Sequence, residues 1–148
     1  MSGSVRIEGM RELEAAMKKA SADAQIKVGR AVVATGIELR GDVVKRIQRG
    51  PASGETYTRG GISHQASAPG EAPATDQGNL ASSITFAKAG PMSATVGSDM
   101  VYAAALEFGH DYGGGRVIAP RPAWMPAIEK IRPKYVKRVE KALGDSFK

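Results

Sequence analysis

Few side chains in this sequence could change protonation or attack a substrate: there are two histidines, His64 and His110, no cysteine, and no serine placed as in a known nucleophile motif. The histidines have no His-x-x-x-His or similar spacing, which argues against a metal site, and the missing thiols remove disulfides and sulfur-ligated zinc together. Ser82 and Ser83 sit in Leu80-Ala81-Ser82-Ser83-Ile84, which lacks the flanking glycines of a nucleophile elbow, so both read as turn or cap residues. The triple glycine Gly113–Gly115 has neither the lysine nor the Ser/Thr of a phosphate loop and reads as a hairpin or loop. Glu107 is the one carboxylate in an apolar run, between Leu106 and Phe108. With no second acid or histidine at a useful spacing, it is expected to form a structural pair with Arg116 or Arg121. These residues predict no catalytic set, no cofactor and no metal, and therefore not an enzyme.

Charge is the chemistry that remains. The formal net charge is +6, and the excess is concentrated in two places. One holds Lys27, Arg30, Arg40, Lys45, Arg46 and Arg49 against Glu38 and Asp42; the other, residues 129–148, holds seven basic residues against Glu129, Glu140 and Asp145. Dispersed lysines and arginines of this kind can neutralise phosphates without reading sequence, so the first group is a candidate DNA-facing surface. The same pattern also describes two ordinary solvated helix faces, and both readings stand at this point.

The elements that carry these residues follow from periodicity. The chain divides at Ser67–Ile84, where Pro69, Gly70, Pro73 and Gly78 forbid a continuous helix and Thr75, Asp76 and Asn79 favour turns. Before it, Val5 and Ile7 alternate like a short edge strand, and Met10, Leu13, Met17 and Ala20 mark a short amphipathic helix. Ser21 and Asp23 cap a second, long helix, which ends at Gly50-Pro51. Gly29, Gly36 and Gly41 weaken that helix or allow close backbone approach. Residues 50–78 hold six glycines and three prolines and read as a long mobile loop, with Tyr57, Arg59 and His64 as its sizeable contact side chains.

After the divide, Ile84–Ala87 and Ala94–Gly97 alternate around Gly90-Pro91 as a β-hairpin. Val101–Gly109 suits a short helical turn stopped by glycine, and Arg116–Ile118 a returning strand. Trp124, Ile128, Ile131, Tyr135, Val139 and Leu143 form a helical stripe, with Pro126 in its first turn and Pro133 inside it. The expected fold is α+β in one domain over 1–148: a small antiparallel sheet packed by the long helix through Val33, Ile37, Val44 and Ile47, and by the last helix through Trp124, Ile128, Ile131 and Val139. Hydrophobic side chains are 42% of the chain but aromatics only 5%, so that core is thin and stabilisation by partners is expected. No apolar run is long enough to cross a bilayer and Met1–Met10 lacks a signal-peptide core, so the expected protein is soluble, made in the cytoplasm and not bound to a membrane.

In their order and spacing, three stretches resemble the HK97 gp10-like phage tail-component family. They are Ser67-Ala68-Pro69-Gly70-Glu71-Ala72-Pro73 with Gly78–Ile84, then Tyr102-Ala103-Ala104-Ala105-Leu106-Glu107-Phe108-Gly109, then Ala119–Ile128 beginning Ala-Pro-Arg-Pro. The resemblance implies a neck, tail-completion or tail-terminator protein of a long-tailed bacteriophage or prophage, located in the virion and assembled as a homo-oligomeric ring. Its implied partners are head-completion or connector proteins and tail tube or terminator proteins, with non-specific contact to passing DNA. Tyr57, Arg59, His64, Tyr102, Glu107 and Arg121 are the candidate subunit or partner contacts. A non-specific DNA-binding protein is the alternative that the basic helices support.

Overall fold

A computed structural model describes residues 10–146; the strand expected at Val5–Ile7 lies outside them. Helix α1 runs unbroken over Met10–Arg49, where the sequence predicts two helices. Ser21 and Asp23 do not break it: alanines at 20, 22 and 24 favour helix, and Asp23 pairs with Lys27 one turn on at 2.6 Å instead of capping. Three two-stranded antiparallel hairpins follow, each a separate sheet: β1 (Thr56–Arg59) with β2 (Ile62–Gln65), β3 (Thr85–Gly90) with β4 (Ser93–Gly97), and β5 (His110–Asp111) with β6 (Val117–Ile118). Short helices α2 (Asn79–Ser83) and α3 (Ala103–Phe108) lie between them, and α4 (Trp124–Gly144) ends the fold. The architecture is α+β.

The hairpin β3–β4 pairs Phe86 with Val96 and Lys88 with Ala94 around the predicted turn. It lies on α1 because α1 is bare there. A Cβ on Gly29 would stand 2.2 Å from the Pro91 carbonyl oxygen, and one on Gly36 would stand 2.6 Å from the Phe86 ring. Nothing lies within 4 Å of a Cβ on Gly41, so close approach explains the first two glycines and not the third.

Helices α1 and α4 pack antiparallel, joined by a ladder of charge. Lys130 reaches Asp42 at 2.5 Å, Lys134 reaches Glu38 at 2.6 Å, and Arg138 bonds Glu38 at 2.6 Å and the Thr35 hydroxyl at 3.0 Å. Beyond them Lys27 donates to the Asp145 carbonyl at 2.8 Å. Position numbers fall along one helix as they rise along the other, and basic residues four apart on α4 meet acids four apart on α1.

The core is smaller than the sequence suggests and turned to one side. Val43, Ile47, Ala81, Ile84, Ala123 and Ala127 are buried together, with Leu39, Val44, Leu80, Val96 and Trp124 half-buried around them. Ile47 and Val44 therefore belong to it, and Ile131 is buried on α4. Ile37 does not belong: it is 55% exposed, and Val33 is only half-buried. The glycine face of α1 sets where the hairpin docks, and that rotates the Ile26–Val33–Ile37 stripe off the core.

Candidate interaction surfaces

Residues 50–78 contain the β1–β2 hairpin, which sequence reasoning leaves out. Its turn is Gly60-Gly61, both left-handed at φ 60° and 80°, the conformation a two-residue hairpin loop requires. The three side chains singled out in this stretch converge. Tyr57 stacks on His64 with ring centroids 5.6 Å apart. Asp76 then accepts from Arg59 at 3.0 Å and from the Tyr57 hydroxyl at 3.3 Å, and its other oxygen lies 3.2 Å from His64 Nδ1. Asp76 reads in the sequence only as a turn former, yet it ties the hairpin to the 67–78 segment.

That segment is itself held. The Glu71 carboxylate accepts from the Ser53 backbone N–H at 3.1 Å, from the Ser53 hydroxyl and from the Ala68 N–H at 2.8 Å. These bonds, the Ser53 hydroxyl first, hold the Glu71 pKa below its ordinary value. Arg121 donates through Nε to the Ser67 carbonyl at 3.2 Å, and Gly70 N–H to the Pro120 carbonyl at 2.8 Å. Arg121 lines a cleft with Tyr57, His64 and Leu106; Tyr102, 39% exposed, lines an adjoining one with Arg59 and Asp76. Of the six expected contact residues, Tyr57, Arg59 and His64 thus lie on one hairpin, and Arg121 and Tyr102 line clefts beside it.

Glu107, the sixth, is buried and turned the other way. Its carboxylate accepts from the backbone N–H groups of Ala123 at 2.8 Å, Trp124 at 3.0 Å and Met125 at 2.8 Å. Its partners are therefore the first N–H groups of α4, where orphan donors and the helix dipole favour a carboxylate, and neither Arg116 nor Arg121 pairs with it. The segment Pro120-Arg121-Pro122-Ala123 offers α4 no Ser, Thr, Asp or Asn cap, a gap that could have signalled a cap supplied from elsewhere.

The basic residues of α1 fall into two groups. Lys27 pairs with Asp23, Arg46 with Asp42 at 2.7 Å, and Arg40 donates to the Ile84 carbonyl at 2.8 Å, so none of these three is a free phosphate donor. Arg30, Lys45 and Arg49 have no hydrogen bond or ion pair among the described residues.

For the residues read as possible chemistry, Ser82 and Ser83 donate to carbonyls of their own helix at 3.0 and 2.7 Å, and His110 meets Tyr112 edge-on at 4.4 Å. No group of three or more His, Cys, Asp or Glu able to hold a metal occurs among the described residues, and no described helix is long and apolar enough to cross a membrane.

A sequence profile described as "HK97-gp10_like: Bacteriophage HK97-gp10, putative tail-component" matches residues 11–109. The match takes in α1, the first two hairpins and α3, and stops before the Ala119–Ile128 stretch that Glu107 caps. Comparison with curated proteins and with solved structures gives no match. With two thirds of its length covered by that profile, the chain belongs to the HK97 gp10-like family of bacteriophage tail components.

Proposed function

We propose that the protein is a structural, non-catalytic subunit of the head-to-tail connection of a long-tailed bacteriophage or prophage, in the neck, tail-completion or tail-terminator position. In this reading it assembles with copies of itself into a ring, made in the host cytoplasm and incorporated into the virion. It sits between head-completion or connector proteins and tail tube or terminator proteins.

The observation that carries the reading beyond the family is the imbalance between core and surface. The large side chains buried almost completely are Val43, Ile47 and Ile84, whereas Val101 is 97% exposed, Phe108 71% and Ile62 63%. Exposed apolar surface of that extent around a thin core suits a subunit completed by its neighbours. The segment 50–78 fits the same reading as an arm: the β1–β2 hairpin projects Ile62 and Tyr57, and its Asp76 tie is the clasp from which it would move onto a neighbouring subunit.

Mass measurement of the purified protein, alone and with tail tubes, tests the assembly, and a deletion phage tests the role. Joined heads and tails in the absence of the protein would overturn it. The unpaired Arg30, Lys45 and Arg49 support non-specific contact with DNA as the second reading. It predicts sub-micromolar binding of free protein to duplex DNA at physiological salt, with a slope of about three counterions if those three side chains carry it.

A further inference from the structure

Along the middle of α1, Ile26, Val33 and Ile37 line an open groove whose far wall is Pro91 of the β3–β4 turn. Ile26 and Ile37 are each more than half exposed. Gly29 forms the floor, since without a Cβ it lets the Pro91 carbonyl rest on the helix. The rim is basic. Arg30 and Lys88 both line the groove, both are exposed, and neither has an ionic partner among the described residues.

At the other end of the same hairpin the chain presents the complement. After β4, the loop 98–102 carries Val101, 97% exposed, and Asp99, exposed and without a partner among the described residues. This loop is held in shape: the Ser98 hydroxyl lies 2.6 Å from that of Ser83 and accepts the Met100 N–H at 3.1 Å, so docking it costs little ordering. Groove and loop are separated by the length of β4, five residues and roughly 15 Å, so within one subunit they face different surroundings.

We propose that the α1 groove receives the Asp99–Val101 loop of a second copy of this chain, with Val101 between Ile26, Val33 and Ile37 and Asp99 against Arg30 and Lys88. The pairing rests on the homo-oligomeric reading above and specifies its contact. Knob and groove are different surfaces, so the contact is heterologous and every subunit keeps one of each for the next. Apolar residues meet apolar residues, and unpaired charges of opposite sign meet at the rim, where they fix register more than they add affinity.

The test uses two full-length variants at exposed positions, Ile37→Asp, which spoils the groove and keeps the loop, and Val101→Asp, which does the reverse. Wild type is expected to sediment as an assembly and each variant as a monomer with an unchanged circular-dichroism melt. Mixing the two variants restores one good contact per pair and is expected to give a two-copy species and nothing larger. Variants that assemble like wild type, or a mixture that stays monomeric, overturn this contact while leaving homo-oligomerisation standing. Wild type that is monomeric at every concentration overturns both. Should either variant unfold, Asp99→Lys mixed with the Arg30→Asp, Lys88→Asp double variant replaces it: each alone is expected to weaken assembly at least tenfold and the mixture to recover it, and absence of recovery refutes the pairing.

Discussion

Removing the Glu107 carboxylate is expected to loosen α4 from α3. In Glu107→Ala three N–H groups lose their acceptor: that of Ala123, a residue 2% exposed, and those of Trp124 and Met125, which are half-buried and 42% exposed. Water can replace the carboxylate at Met125 and partly at Trp124. At Ala123 the donor is left buried, at about 1–3 kcal/mol. The lost attraction between a buried carboxylate and the helix N-terminus adds up to about 2 kcal/mol. Together these give roughly 1–5 kcal/mol, and the middle of that range, at about 2–4 °C per kcal/mol for a domain of this size, lowers Tm by about 10 °C. Glu107→Gln keeps the shape but sets an amide NH₂ among donors, and is expected to cost about half as much. Thermal unfolding followed by circular dichroism, at low salt and at 1 M NaCl, is the assay: a buried cap persists in salt, whereas an exposed ion pair is screened. A Glu107→Ala melt within about 2 °C of wild type would refute the capping role.

The glycines of α1 are expected to respond with opposite signs. Gly41→Ala, with open space around it, gains up to about 1 kcal/mol of helix propensity, while Gly29→Ala, pressed against the Pro91 carbonyl, lowers the melting temperature by displacing the hairpin. In the unassembled subunit Ile37→Ala is expected to change stability by less than about 0.5 kcal/mol, whereas Ile47→Ala costs about 2–5 kcal/mol by denaturant titration. The α1–α4 ladder predicts acid lability. Lys134 and then Arg138 hold the Glu38 pKa down; at Asp42 burial pulls upward, but hydrogen bonds from Lys130 and Arg46 outweigh it and the net shift is down. Carboxylates with depressed folded pKa values contribute fully above their unfolded values, and the contribution disappears as pH falls through the folded ones, so stability declines below about pH 4 and declines less in Lys134→Ala. Removing residues 56–65 is expected to leave the melt unchanged while abolishing assembly, and an assembled deletion variant would dismiss the arm; extending the cut to Ser67 would instead remove the carbonyl that Arg121 holds.

Much of the fold is legible in period alone. The β3–β4 hairpin, α3 with its glycine stop and α4 sit where alternation or three-four spacing places them, because each is a local pattern with a local turn. The core face of α1 is not legible that way. Its widest apolar stripe, through Ile26, Val33 and Ile37, lies beside the hairpin, because docking follows the absence of side chains at Gly29 and Gly36, and a hydrophobic pattern records only presence. The β1–β2 hairpin did carry a signal, Gly-Gly between Thr-Tyr-Thr-Arg and Ile-Ser-His-Gln, but the surrounding glycines and prolines masked it. Of the contact residues, composition picks out Tyr57, Arg59 and His64, whereas Asp76, which gathers them, lies more than ten positions away and has no local mark.

The α1–α4 ladder also sets an order of events during synthesis. Its bonds span 88 positions at Asp42–Lys130 and 103 at Thr35–Arg138, so α1 leaves the ribosome long before the helix it pairs with. Until then α1 can coil on its own, but its acids face water and the hairpins have only one wall to rest on. Native structure is therefore expected to appear in a single late step, when α4 emerges and closes the loop. Ribosome-stalled chains that hold α4 inside the exit tunnel would remain as sensitive to protease as unfolded ones, and those with a spacer after Gly144 long enough to free α4 would abruptly resist it.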